Sequence, residues 1–260
     1  MSSTLVDPLW SAIRDETLAA VNDEPLLASF LHMTVLRHAT LEDVLAFHLS
    51  TKLASPVMDP RALQELFREA FQADPAISAA LRADIRACFE RDPACDRYST
   101  PLLYFKGFHA IQSQRVTHWL WQQGRTTLAL FLQNRISEVT GADIHPAARV
   151  GQGVMLDHGT GLVVGETAVI GNNVSILHGV TLGGSGKERG DRHPKIGDGV
   201  MLGAGAAVLG NIRVGECAKV GAGSVVLEDV PPHATVAGVP ARIVAQACPG
   251  TPALDMDQRV

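Results

Sequence analysis

The sequence predicts an α+β protein, an N-terminal all-α helical domain followed by a left-handed parallel β-helix built from hexapeptide repeats. Up to about residue 140 apolar side chains recur at helical spacing, and from Ile144 aliphatics recur every sixth residue. Punctuation changes at the same place. Asp-Pro, Ser-Pro and Gly separate the helical stretches, whereas in the second half Gly directly follows many of the aliphatics, as at Gly151, Gly165, Gly171, Gly183, Gly197, Gly203, Gly215 and Gly221.

Taken in order, helices are expected over 8–21, 25–37, 41–53, 60–72, 75–90 and 101–122. The clearest is the last before the change: Leu128, Phe131, Leu132, Ile136 and Val139 share one face with Arg135 as the polar exception, and Gly141 supplies the stop. Then come Ile144, Val150 and Leu156, next Val164, Ile170, Ile176 and Leu182, and finally Ile196, Leu202, Val208, Val214, Val220 and Val226. Each hexapeptide makes one face of a triangular coil, with the aliphatics stacked inside. Gly183 to Lys195 (GGSGKERGDRHPK) breaks the phase and is expected to be extruded as a loop. The expected organisation is a helical domain over 1–140, the β-helix over 141–245 and a flexible tail over 246–260.

Composition narrows the function. The chain has 260 residues, 46% hydrophobic and 19% charged, with Lys plus Arg 22 against Asp plus Glu 27. The net charge of −5 and the lack of a basic block argue against nucleic acid. Asp7, Arg14, Asp15, Glu16, Asp23 and Glu24 interrupt the N-terminus. No run approaches the roughly 18 apolar residues of a membrane span, so a cytoplasmic protein without membrane contact is expected. Cys88, Cys95, Cys217 and Cys248 have no CxxC spacing and read as reduced thiols.

One stretch resists the repeat. In MLDHGTG, Asp157 and His158 follow the inward Leu156, where a carboxylate beside an imidazole is either a solvated turn or a site. Asp143 lies one coil below, placed to accept the imidazole N–H, and the loop carries Arg192 and His193, so a base, a carboxylate, a cation and a second imidazole have a route to convergence. Other chemistries fit less well. GGSGKE is no P-loop, since Thr181 and Glu188 occupy positions that require Gly and Ser or Thr. A zinc site from His145, His158, His178 and His193 lacks any short His-x-His or Cys pair, and no Ser or Cys sits in a nucleophile elbow. Phe105, Phe108, Trp119 and Trp121 read as helix packing, and His109 and His118 as helix-surface or interface groups.

Four segments together resemble the serine O-acetyltransferase family: RDPACDRYSTPLLYFKGFHAIQSQR, DIHPAARVGQGVMLDHGTGLVVGETAVIG, KERGDRHPKIGDGV, and GAGSVV followed by VPPHATVAGVPARIV. The repeats alone resemble the wider acyltransferase superfamily; the helical segments with DRHPKIG are more specific. The resemblance implies acetyl transfer from acetyl-CoA to L-serine on the route to cysteine, with His158 as general base and Asp143 holding it. It implies Asp92 and Asp157 for the serine ammonium and Arg192 with His193 for its carboxylate. Gly184, Gly203, Ala204 and Ala222 would border the pantetheine arm, and Arg242 would meet a CoA phosphate. It implies acetyl-CoA as co-substrate with no tightly bound cofactor or metal, L-cysteine as feedback inhibitor, and a dimer of trimers with active sites between subunits.

Family tails commonly end in Ile and enter O-acetylserine sulfhydrylase. Here Val260 lacks one methylene, worth about 0.8 kcal/mol or roughly fourfold in affinity, so weak or absent docking is expected. Two readings stay beside the first: a hexapeptide acetyltransferase for another hydroxyl acceptor, and a chain whose main role is to bind and regulate the sulfhydrylase.

Overall fold

A computed structural model describes residues 7–187, 189–246 and 250–259. Three of the four Asp-Pro pairs of the sequence become helix starts, and the fourth, Asp92-Pro93, follows the end of a helix. In α1 (Pro8–Asp23), α4 (Pro60–Ala73) and α5 (Pro75–Arg91) proline fills the first turn while Asp7, Asp59 or Asp74 accepts backbone N–H bonds as N-cap. The helix expected over 25–37 is wound unevenly, as a 3₁₀ turn (Pro25–Leu27), α2 (Ala28–Leu31) and a π turn (His32–Leu36). Thr40 caps α3 (Leu41–Leu53), and Gly141, with φ 76°, ends α8 (Thr126–Thr140). The single helix expected over 101–122 is two, α6 (Ser99–Tyr104) and α7 (Lys106–Gln122), broken where Phe105 turns extended. No described helix is long and apolar enough to cross a membrane.

The hexapeptide half is a left-handed coil with three faces of parallel strands. The first face stacks β1 (Asp143–Ile144), β4 (Val163–Val164), β7 (Thr181–Gly183), β10 (Ala207–Leu209) and β13 (Val225–Val226). The second stacks β2 (Arg149–Val150), β5 (Val169–Ile170), β8 (Lys195–Ile196) and β11 (Arg213–Val214). The third stacks β3 (Met155–Leu156), β6 (Ser175–Ile176), β9 (Met201–Leu202), β12 (Lys219–Val220) and β14 (Thr235–Gly238), closed by the antiparallel β15 (Ala241–Ala245). The predicted aliphatics form the inner columns, and one apolar core runs from Leu9 through them to Val236.

Two helices hold this coil. Asp84 of α5, fully buried, takes Arg115 of α7 at 2.7 Å, Gln112 Nε2 at 2.7 Å and the Val154 backbone N–H at 2.8 Å. Burial pushes the Asp84 carboxyl up, and the Arg115 guanidinium opposes that shift. Farther along α5, Arg91 Nη1 donates to Ser175 Oγ at 3.1 Å, so the end of the helix rests on the third face.

The C-terminal segment does not project freely. α9 (Pro252–Asp255) buries Ala253 against the coil; Ser175 Oγ donates to the Ala253 carbonyl at 2.7 Å, and Lys219 Nζ donates to the Asp257 and Arg259 carbonyls at 3.0 and 2.6 Å. Its Pro and Gly content suggests mobility, but the third face offers these residues an apolar seat and backbone partners. Cys248 and Val260 lie outside the described residues.

His109 corrects the sequence reading, because it is buried. It packs edge-on against His48, centroids 5.1 Å apart, and each Nε2–H donates to a carbonyl, Leu102 for His109 and Leu103 for His48. Burial lowers His48 from 6.5 to about 4 and His109 from 6.5 to about 3. The unfolded chain therefore binds more protons than the fold below about pH 6.5, so this stability is complete above that value and is lost as pH falls toward 4. Urea unfolding between pH 7 and 5 should show ΔG dropping by up to about 1.4 kcal/mol per pH unit for each imidazole. His48→Gln, which keeps the donor to Leu103, should flatten that slope.

Candidate active site

The first turn between the third and first faces is larger than those above it. Asp157 N–H donates to the Ile176 carbonyl and Gly179 N–H to the Thr160 carbonyl, both at 2.8 Å. The equivalent bonds one coil up are Leu177 to Leu202 and Gly205 to His178. Asp157 thus corresponds to Leu177 and Thr160 to His178, which leaves His158 and Gly159 as extra residues. Both take positive φ, 56° and 74°, so the chain bulges outward. His158 is exposed, its Nε2 is 3.6 Å from Asp157 Oδ1, and its ring lies 6.0 Å from that of His178.

The start of α7 braces this bulge. Gly107 sits on the Leu156 carbonyl so closely that any Cβ would collide with its oxygen, and a Cβ on Gly159 would come within 2.9 Å of Gly107 Cα. Lys106 Nζ donates to Thr160 Oγ1 at 2.5 Å. The break at Phe105 follows, since α7 must begin where Gly107 can reach the coil.

Above the bulge the same corner continues as a column. Gly179, Gly205 and Gly223 N–H groups donate to the Thr160, His178 and Ala204 carbonyls, which stacks His178, Ala204 and Ala222 in succession over Thr160. The β12–β14 register, carried two residues past Val220 and Val236, sets Gly238 over Ala222. Gly203 stands beside Ala204, and Arg242, paired with Ala237, flanks the upper end. Coils about 4.8 Å apart make this strip roughly 19 Å long. Gly203 has a duty to the fold as well, because a Cβ there would stand 2.6 Å from the Ala222 nitrogen.

Arg192, His193 and Gly184 lie at the other edge of the first face. Arg192 Nη2 pairs with Glu166 Oε2 at 2.8 Å, and a Cβ at Gly184 would lie 3.6 Å from the Arg192 carbonyl. His193 is buried on Gly165, where no side chain fits beneath it. Thr167 organises the loop: its Oγ1 accepts the Arg192 and His193 backbone N–H groups at 3.0 and 3.1 Å, and its own N–H donates to His193 Nδ1 at 3.1 Å. Nδ1 is therefore the acceptor, and the neutral ring carries its proton on Nε2. Burial, reinforced by Arg192, lowers the His193 pKa and favours that neutral form. Lys195 Nζ locks the loop base by donating to the Thr167 and His193 carbonyls at 2.9 and 2.7 Å.

The structure separates some of the predicted residues. Asp143 Oδ1 accepts from Gln133 Nε2 of α8 at 2.7 Å, and within one chain it makes no hydrogen bond to His158. The reason is placement: Asp143 leaves the first face, whereas His158 stands at its corner. Asp92 follows Arg91 at the end of α5 and caps its own loop, accepting Ala94 N–H at 2.9 Å. His145 Nδ1 accepts the Ala147 N–H at 3.0 Å while its ring meets Trp121, so His145 and His193 serve one corner and His158 and His178 another. Sequence reasoning missed Lys106, Glu166, Thr167 and Lys195 as supports. Glu166 and Thr167 lay within VGETAVIG, but their partners are set by the loop's return path.

A triangular parallel coil with an imidazole at an enlarged corner and a small-residue strip above it defines a hexapeptide-repeat acyltransferase. Residues 193–228 match the family model "Bacterial transferase hexapeptide (six repeats)", and residues 9–113 match "Serine acetyltransferase, N-terminal". The chain is 57% identical to the serine acetyltransferase of Escherichia coli K12 over 99% of its own length and 94% of that protein. It belongs to the serine acetyltransferase family. Among solved structures, it resembles the Neisseria gonorrhoeae enzyme in complex with serine, with TM-score 0.89 and 65% identity over 93% of this chain and 100% of that one. A serine acetyltransferase in complex with cysteine gives TM-score 0.95 and 57% identity over 97% and 98%. The Brucella abortus S19 enzyme with coenzyme A gives 0.91 and 54% over 93% and 96%.

Gly107→Ala tests the brace. The added methyl must displace either α7 or the His158 turn, so unfolding free energy should fall by about 1–3 kcal/mol. Turnover should fall too, whereas Gly186→Ala, in open space on the loop, should leave both unchanged.

Proposed function

We propose that this chain transfers the acetyl group of acetyl-CoA to the hydroxyl of L-serine, giving O-acetylserine and CoA, by direct transfer with His158 as general base. The observation that carries this reading is the exposed His158–Asp157 pair at the foot of the Ala204–Ala222 column. An extended pantetheine arm lies along such a strip where a larger side chain would block it, with its thioester toward His158 and a phosphate toward Arg242. Asp92 and Asp157 take the serine ammonium. Arg192 and the Nε2–H of His193 take its carboxylate, while Asp143, released from Gln133, orients the base. Relatives that bind serine and coenzyme A support this substrate pair. The cysteine-bound relative supports L-cysteine as an inhibitor, since it offers the same ammonium and carboxylate.

The two halves of this site flank the first face, and the character of the three faces says how they meet. The third face is covered by α5, α7 and the C-terminal segment. The second presents Arg149, Val169, Lys195 and Arg213, and the first presents Asp143 at its foot and then Val163, Thr181, Ala207 and Val225. Three copies with their first faces around a threefold axis cover the uncharged surface above Asp143 and set the His158 corner of one copy against the Arg192–His193 corner of the next. Exposed Leu18, Leu26, Leu27, Phe30 and Met33 on the helices give two such trimers a surface for pairing. Binding to O-acetylserine sulfhydrylase through the tail is weak in this reading, because docking must first release the bonds from Lys219.

His158→Ala should lose about 10²- to 10⁴-fold in kcat, and Arg192→Ala should raise KM for serine far more than KM for acetyl-CoA. Refolding the two variants together should restore activity, since about a quarter of randomly mixed interfaces then hold both native corners. Full turnover by His158→Ala would remove the base. Mixtures no more active than their components would place both halves within one chain.

A further inference from the structure

On the column that leads to the base, one residue breaks the run of small side chains. Ala204, Ala222 and Gly238 leave the corner open, but His178, directly beneath Ala204 and beside the His158 bulge, is an exposed imidazole. Its ring lies 6.0 Å from that of His158 at an interplanar angle of 65°, edge to face, so the two imidazoles border the same corner and a group held at His158 lies beside His178. An acyl donor descending the strip passes His178 immediately before its thioester reaches His158.

We infer that His178 is a further catalytic residue, whose imidazole N–H donates to the thioester sulfur as the C–S bond breaks. The inference rests on the proposed role of His158 and of the column. In the step, the serine Oγ–carbon bond forms while the Oγ proton passes to His158. The tetrahedral adduct then collapses, the C–S bond breaks and its electron pair goes to sulfur. His178 stabilises that developing thiolate by hydrogen bonding and keeps its own proton. The proton held on His158 is delivered to the sulfur, leaving O-acetylserine and the CoA thiol. Charge grows on sulfur only as the bond breaks, so the interaction acts on kcat rather than on binding.

Purified full-length His178→Ala and His178→Gln are compared with the parent and with His158→Ala, using acetyl-CoA and L-serine. His178→Ala should lose about 10- to 100-fold in kcat, the worth of one hydrogen bond to a charged acceptor, with both KM values nearly unchanged. His178→Gln, which returns an N–H donor, should stay within about threefold of the parent. Retained turnover in His178→Ala, an equal loss in Ala and Gln, or a rise confined to KM for acetyl-CoA would each overturn the inference. Because His158→Ala is measured alongside, its inactivity with an active His178→Ala refutes only the role of His178, whereas an active His158→Ala refutes the site itself.

Discussion

A parallel β-helix has an open lower edge, and the way this edge is closed governs the rest of the molecule. In the second coil the Ala168 and Ile170 carbonyls point down and accept N–H bonds from Arg149 and Gly151 of the first. The corresponding carbonyls of the first coil, Ala148 and Val150, have no coil beneath them. Gln114 Nε2 and Arg115 Nη1 of α7 supply those donors at 2.9 and 3.2 Å, and Arg115 Nη2 reaches the Gly151 carbonyl at 2.7 Å. α7 therefore stands in for a missing coil, which is why a helix with polar Gln112, Gln114 and Arg115 is buried almost throughout. Asp84 neutralises the guanidinium that does this, and removing either partner of so buried a pair costs about 3–5 kcal/mol.

That closure also positions the chemistry. With Gln114 and Arg115 fixed on the coil, the first turn of α7 lies against the His158 bulge through Gly107 and Lys106. The same Asp84 joint lays α5 along the third face, so that its end, at Arg91 and Asp92, rests on the second coil. One joint thus sets two of the borders of the site. At the upper end the antiparallel β15 covers β14 on the third face, while β13 and β11 are the last strands of the other two.

What was legible in the sequence followed from short-range rules. The six-residue phase gave the inner columns from Ile144 to Val226, Asp-Pro gave the starts of α1, α4 and α5, and the broken phase gave the extruded loop. The Asp157–His158 pair stood out for the same reason, since it falls where the phase slips. What was not legible depends on partners far along the chain. Phe105 ends a helix because Leu156 faces the next residue pair, His109 is buried by the packing of α3 and α7, and Asp143 turns to Gln133. The seat of the C-terminal segment on Ser175 belongs to the same kind, for its composition carries no sign of it.

The position of the bulge in the stack has a physical cause. In an interior coil, two extra residues at a corner would have to fit between turns above and below, where Gly161, Gly179 and Gly205 are stacked and a Cβ added at Gly161 or Gly179 would meet the next Cα at 3.5 Å. Only the first coil has a free lower side, and there His158 and Gly159 can swing outward while Gly161 keeps its place in the glycine stack. A helix turn then fills the remaining space, and it can do so only with glycine at 107. The enlarged corner, the helix that braces it and the narrow strip above it are therefore consequences of one another: a regular stack supplies the strip, its end permits the irregularity, and the irregularity carries the imidazole.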